Sequence, residues 1–168
     1  GTAPEGDYKI INSHICIERI YLDSKERKEF ATQSHEYLIK QTQYSLNNNV
    51  LANTTNKTFN LNFNHPILEL IFVVHNKTKL TNSANGGKDY FNYSKTNTYP
   101  LTETIKNAKI LLNGEDRTPE ITNKELRFLN PILYHTSIPN NYIYMYSFSL
   151  NPEDYQPSGS CNFSRFDN

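Results

Sequence analysis

YIYMYSFSLNPEDYQPSGSCNFSRFDN, residues 142–168, is the stretch on which the fold turns. Its side chains alternate: Tyr142, Tyr144, Tyr146, Phe148 and Leu150 fall on one face, Ile143, Met145, Ser147 and Ser149 on the other. Successive side chains of an extended chain point to opposite faces of a sheet, so period-two alternation of aromatic and β-branched residues predicts a strand. Asn151-Pro152, Gln156-Pro157 and Ser158-Gly159 then end it, because proline cannot donate to a ladder and glycine accepts turn dihedrals. The expectation is a central strand that runs into a shaped loop.

Upstream, the chain reads as the rest of that sheet. Residues 1–13 are polar, with Pro4 and Gly6, and read as a linker. Residues 14–22 follow as a strand with Ile15, Ile17 and Tyr21 on one face and Cys16, Ile20 and Leu22 on the other. Asp23 stands at an N-cap with Glu26 three residues on, the capping-box pattern, and predicts one short helix near 24–32. Phe30 and Ala31 would dock it, leaving its charges solvated. Residues 35–46 and 57–63 alternate as further strands, with Phe59, Leu61 and Phe63 opposite Asn60, Asn62 and Asn64. After the His65-Pro66 break, residues 67–74 form another.

Residues 76–106 make a long surface loop with Gly86-Gly87 at its middle, and loops of that length in a compact domain are commonly binding loops. The strand 108–112 meets the turn signal Asn113-Gly114, and 125–134 reads as a strand with Pro131 at a bulge or edge. The sum is about seven strands and one short helix. Short strands separated by turn clusters indicate an all-β antiparallel sandwich or barrel, the jelly roll among them.

Composition narrows the function. A chain of 168 residues suits one domain with a core that needs no metal or disulfide. Seventeen Lys and Arg cancel seventeen Asp and Glu, so no global field draws the chain to nucleic acid or an anionic membrane. There are 23 Asn and, together, 21 Tyr and Phe, against six Gly and no Trp, which favours strands joined by Asn-rich turns. Cys16 and Cys161 are too few for a disulfide framework and read as reduced thiols. No apolar run reaches the roughly 18 residues of a membrane span.

Reactive constellations are absent from the spacing. The five histidines, His14, His35, His65, His75 and His135, form neither HxH nor HExxH. Ser158-Gly159-Ser160-Cys161 lacks the GxSxG elbow, and Cys161 would need a base such as His135 brought to it. No glycine-rich phosphate loop is present. No catalytic residue, metal or cofactor is therefore expected. Of the N-x-S/T sequons at Asn53, Asn56, Asn76, Asn92 and Asn162, those in the long loop, Asn76 and Asn92, are the candidate glycosylation acceptors. Taken alone, the residues support a scaffold whose loops make contacts. A carbohydrate-binding module that uses the Tyr- and Asn-rich loop against host-surface glycans is the alternative, and a jelly-roll metalloenzyme would need its histidines to converge.

YSFSLNPEDYQPSGSCNFSRFDN resembles the hallmark segment of the major capsid proteins of nucleocytoplasmic large DNA viruses. Its most specific part runs through Gln156, Pro157, Ser158 and Gly159, then Cys161, Asn162, Phe163, Ser164 and Arg165. IERIYLDSKERKEFATQSHEYLIKQTQ resembles the strand-helix-strand opening of the family's second jelly roll. FNLNFNHPILELIFVV, with Asn64, His65 and Pro66, resembles its Asn-His-Pro strand pair, and AKILLNGEDR, with Asn113 and Gly114, and RFLNPILYHT its later pair.

The resemblance implies a double jelly-roll protein of which residues 14–168 form the second, C-terminal jelly roll, preceded by a first and followed by a last strand. It also implies homotrimers of pseudo-hexagonal outline tiling an icosahedral shell, with neighbouring capsomers and minor capsid proteins as partners. The virion capsid is the implied location, assembled in the host cytoplasm. Arg165, after Phe163 and beside Asp167, is expected to hold a carbonyl or carboxylate that fixes the loop.

Overall fold

The computed structural model describes residues 11–45, 49–81, 89–96 and 99–166. The chain divides between Tyr44 and Ser45 into two units. In the first, the helix α1 (Ser24–Thr32) forms where the capping box lies: the Asp23 side chain accepts from Glu26 N at 2.8 Å, and Glu26 Oε2 accepts from Asp23 N at 3.4 Å. Two otherwise orphaned donors are thereby satisfied. The docking expected of Phe30 and Ala31 is corrected, since no residue of α1 is buried and Phe30 is 56% exposed. Phe30 instead stacks on His35 with ring centroids 4.4 Å apart.

The strands expected at 14–22 and 35–46 are also corrected: through residue 45 these segments join no ladder among the described residues. Ile15, Ile20, Tyr37 and Leu38 remain solvent-exposed there. Alternation states a preference for extended backbone, but a strand exists only where a partner supplies hydrogen bonds. Residues 57–63 likewise run outside any ladder among the described residues; Leu61 and Phe63 are half-buried and Asn60, Asn62 and Asn64 exposed, as their alternation assigns, but Phe59, expected on the apolar face, is 40% exposed. The linker reading of 1–13 falls mostly outside the described residues.

The second unit is built on short antiparallel pairs. β1 (Pro66–Ile67) and β2 (Glu69–Phe72) lead to the short helix α2 (Lys77–Thr81). Then come β3 (Asn107–Ala108), β4 (Leu111–Leu112), β5 (Glu115–Asp116) and β6 (Ile121–Thr122). A π-helical turn, Glu125–Leu129, continues into α3 (Asn130–Tyr134), followed by β7 (Tyr144–Ser147), β8 (Cys161–Asn162) and a 3-10 turn, Phe163–Arg165. Among the described residues these strands pair as β1 with β8, β2 with β7, β3 with β6 and β4 with β5.

β7 is the strand read from the opening stretch, and it pairs with β2 from Glu69 opposite Ser147 to Phe72 opposite Tyr144. Among the described residues it is one half of a two-stranded ladder, not the central strand expected of 142–150. Both faces contribute to the core: Tyr144 is 0% exposed and Met145 6%, with Leu70, Leu126 and Phe163 around them in the buried set. Leu150 lies past the end of β7 and is 69% exposed.

The Asn113-Gly114 signal holds. Both residues have positive φ, 53° and 79°, joining β4 to β5 in the primed-turn geometry that suits the right-handed twist of a hairpin.

The strand expected at 125–134 is a helix. Thr122 and Glu125 make the first turn's box: Thr122 N and Oγ1 donate to Glu125 Oε2 at 2.8 and 2.7 Å, and Glu125 N donates to Thr122 Oγ1 at 3.4 Å. Pro131 lacks an N–H and sits in the first turn of α3, directly after the π-helical turn, where the Asn130 N–H already reaches back to Glu125 O. Proline at a helix start loses no ladder bond, so it does not mark a strand edge here. Leu126, 1% exposed, anchors this helix in the core.

Candidate functional site

The loop after β7 is closed by one hydroxyl. Ser158 Oγ lies 2.6 Å from Ser149 Oγ, accepts from Asn151 N at 2.7 Å and donates to Asn151 O at 3.0 Å. Gly159 follows at φ 135°, and a Cβ there would stand 3.1 Å from Phe148 O and 3.5 Å from Ser149 Cα. Only glycine meets both conditions, the positive φ and the close backbone approach. Within the loop Pro152 is buried, while Gln156 and Pro157 are exposed and Tyr155 is 97% exposed. The loop thus presents its tip and hides its base.

Two segments read separately in the sequence meet at the end of this loop. The Ser164 hydroxyl accepts from His65 N at 2.7 Å, and Phe163 N donates to His65 O at 3.1 Å. β1 pairs with β8 beside them, Pro66 opposite Asn162 and Ile67 opposite Cys161. His65 takes φ 68°, a turn that a residue before proline enters only when its surroundings hold it. Asn162 caps the 3-10 turn by accepting from Ser164 N at 3.1 Å. Phe163, 5% exposed, packs edge-on against Phe148 and Phe166 with centroids 5.7 and 6.1 Å away.

Arg165 does not fill its expected role among the described residues. It is exposed and carries no hydrogen bond or ion pair there, while Asp167 lies outside them. Cys161 is half-buried with a free thiol, and burial pushes that thiol up from its ordinary value, opposed by the Arg117 charge. This is the reverse of an activated nucleophile. His135, the base such a nucleophile would have needed, stands between Glu69 Oε2 at 2.9 Å and Glu153 Oε1 at 3.2 Å. Glu153 is held below the usual carboxylate range first by the Thr136 N–H, 3.2 Å from both its oxygens. Among the described residues no group of three or more His, Cys, Asp or Glu could hold a metal ion.

The long loop has its own centre, of which residues 82–88 and 97–98, Gly86-Gly87 included, fall outside the description. Lys79, 5% exposed, donates from Nζ to Asn92 Oδ1 at 2.8 Å, Ser94 O at 2.6 Å and Ser94 Oγ at 2.8 Å. Burial lowers its pKa, with Asp89 acting in the opposite sense. The candidate acceptor Asn92 is committed to this knot: its Nδ2 donates to Asp89 Oδ2 at 2.8 Å, and its Oδ1 also accepts from Ser94 N and Oγ. Asn76 uses its Oδ1 to accept from Thr78 N and Oγ1 at 3.0 and 2.8 Å. Of the two, Asn92 would have to leave a buried network to be modified.

A further buried network lay outside the sequence reading. Tyr144 OH donates to Glu103 Oε2 at 2.7 Å and accepts from Thr104 N and Ile105 N at 3.2 and 3.3 Å. Glu103 Oε1 pairs with Arg127, whose guanidinium lies 3.8 Å from the Tyr142 ring centroid and 4.8 Å from that of Phe128. Burial, then the bond to Glu103, raises the phenol above its ordinary value. The network ties the end of the long loop to the helical segment and to β7. It has the character of a support, with no open position for a reacting atom.

The family model described as "Large eukaryotic DNA virus major capsid protein" matches residues 26–168. The chain is 32% identical over 177 residues to a major capsid protein of Pyramimonas orientalis virus, covering 92% of this chain and 39% of that protein. It is 32% identical over 173 residues to a major capsid protein of Paramecium bursaria Chlorella virus 1, covering 92% and 40%. Among solved structures it is similar to the "PBCV-1 virus capsid, quasi-atomic model", with a TM-score of 0.69, 30% identity and coverage of 88% of this chain and 40% of that one. The chain therefore spans less than half the length of these relatives.

Proposed function

This chain belongs to the family of large eukaryotic DNA virus major capsid proteins, and from that premise we propose that it builds the shell of such a virus. Its role is structural: the β1–β8 and β2–β7 pairs form a scaffold and the loops make the contacts between copies. It stands as the C-terminal of two jelly rolls in its protein, which associates as homotrimers of pseudo-hexagonal outline. These pack against neighbouring capsomers and minor capsid proteins in the virion capsid, after assembly in the host cytoplasm.

The observation that carries this reading is the family match over residues 26–168, which includes the 151–165 loop tied down by Ser158 and Ser164. A subunit repeated through a shell needs loops of one fixed shape, because each contact is reproduced at every copy. The balanced charge is consistent with dense packing of like chains, which a large net charge would oppose. Among the described residues no helix is long and apolar enough to cross a membrane. Negative-stain electron microscopy of the purified full-length protein tests the assembly: threefold particles with a hexagonal outline are expected, and a field of asymmetric monomers contradicts it.

A further inference from the structure

A cavity of about 280 Å³ opens between residues 89–92 with Leu101 on one side and the turn at 140–142 on the other. Its lining holds two aromatic residues, Phe91 and Tyr142, with one carboxylate, Asp89, and the amides of Asn140 and Asn141. Phe91 is 74% exposed, so a face of its ring is open to a ligand. Tyr142 takes φ 52°, which costs a bulky residue energy and persists only where its surroundings impose it. The Arg127 guanidinium, 3.8 Å from the Tyr142 ring centroid, is the group that holds this ring in place.

The polar groups are open as well. Asn140 and Asn141 are exposed, and their side-chain amides hold no bond among the described residues. Asp89 gives Oδ2 to Asn92 Nδ2 and keeps Oδ1 without a partner among them. Among the described residues the lining carries no cationic side chain, and Lys79 Nζ behind it donates to Asn92 and Ser94. An anionic ligand would meet the Asp89 carboxylate at the lining, while the Lys79 and Arg127 charges lie behind Asn92 and the Tyr142 ring.

We infer that this cavity binds one neutral pyranose unit of a carbohydrate. Vicinal hydroxyls are donors and acceptors at once, which suits a carboxylate oxygen beside amides that each offer both functions. The C–H face of a sugar ring packs on an exposed aromatic side chain such as Phe91. The volume lies just under the roughly 300–1,000 Å³ typical of drug-sized ligands, enough for a single ring and not for an extended chain. The site does not rest on the capsid reading, since its lining is separate from the 151–165 loop.

Saturation-transfer NMR on the purified full-length protein in its native assembly tests the inference, with methyl glycosides of mannose, galactose, glucose and N-acetylglucosamine at millimolar concentration. At least one glycoside should receive saturation, and Phe91→Ala and Asn141→Ala should each weaken its binding by about tenfold. Both side chains are exposed, so the thermal midpoint should not move. No transfer to any of the four overturns the site, and so does transfer that both variants leave unchanged. A Lys25→Ala control, exposed on α1 and not among the lining residues, should bind as the parent does.

Discussion

Replacing Gly159 by alanine probes the closure of the 151–165 loop directly. The backbone there sits at φ 135°, a conformation that side chains with a Cβ rarely adopt, and holding one in it costs about 1–3 kcal/mol. The new Cβ would also meet Phe148 O at 3.1 Å, a few tenths of an ångström inside ordinary contact. That carbonyl cannot retreat freely, because Phe148 N and Ser149 N both donate to Leu68 O, at 2.8 and 3.2 Å, and so extend the β2–β7 ladder. Strain at residue 159 is passed into the β2–β7 pair.

The internal comparison is Gly114→Ala. Gly114 has φ 79° but nothing within 4 Å of its Cβ position, so it loses only the left-handed preference, about 1 kcal/mol. Gly159→Ala should therefore cost about 2 kcal/mol or more, a fall of about 4–8 °C in the thermal midpoint of an unfolding unit of this size. Differential scanning calorimetry of the two variants beside the parent reads both shifts. A Gly159→Ala midpoint within a degree of the parent's, or one no lower than that of Gly114→Ala, would refute the account of the loop.

Tyr144→Phe removes the hydroxyl that Glu103, Thr104 and Ile105 share, and the unsatisfied groups left behind should cost about 1–3 kcal/mol in denaturant unfolding. Because the folded phenol titrates above its ordinary value, the stability it contributes is complete below about pH 10 and is lost as pH rises through the higher folded value; the alkaline limb of the stability profile should flatten in Tyr144→Phe. Leu126→Ala, at a side chain 1% exposed, should cost about 2–5 kcal/mol by the same measurement, whereas a strand with this residue on its solvent face would lose far less. Ser158→Ala unties Asn151 and Ser149 together, and chymotrypsin should then nick the chain after the exposed Tyr155 faster than in the parent. An unchanged cleavage rate would remove Ser158 from its closing role.

Local signals were legible where the physics is local. The Asp23–Glu26 box and the Asn113-Gly114 turn depend on residues a few positions apart and stand where their patterns place them, while of the strand expected over 142–150 only Tyr144–Ser147 forms one. The segment 125–134 shows how a local signal can be misread. Thr122 and Glu125 spell a second capping box, and Leu126, Leu129 and Leu133 recur at helical spacing. Pro131 suits a bulge or edge in a strand, but a proline equally suits the first turn of a helix, and that is where it sits. The residues 14–22 and 35–45 show the opposite limit, because alternation cannot supply the partner that turns extended backbone into a strand.

The candidate site divides in the same way. Ser158, Gly159, Asn162 and Ser164 were singled out by the resemblance, and the structure gives each a physical task in the loop or the turn after it. Their junction with His65 was not legible, since it joins positions 99 residues apart. The Glu103–Arg127–Tyr144 network was hidden for the same reason, with partners 24 and 41 residues apart. Arg165 drew notice by its place in the motif, yet among the described residues it touches no partner that would fix the loop.

The central claim is that this chain is part of a self-assembling shell subunit, and the mass of the full-length protein in solution tests it most directly. Size-exclusion chromatography with multi-angle light scattering at micromolar concentration should give a species three times the mass of the single chain. A single-chain mass that persists as the concentration is raised would contradict it.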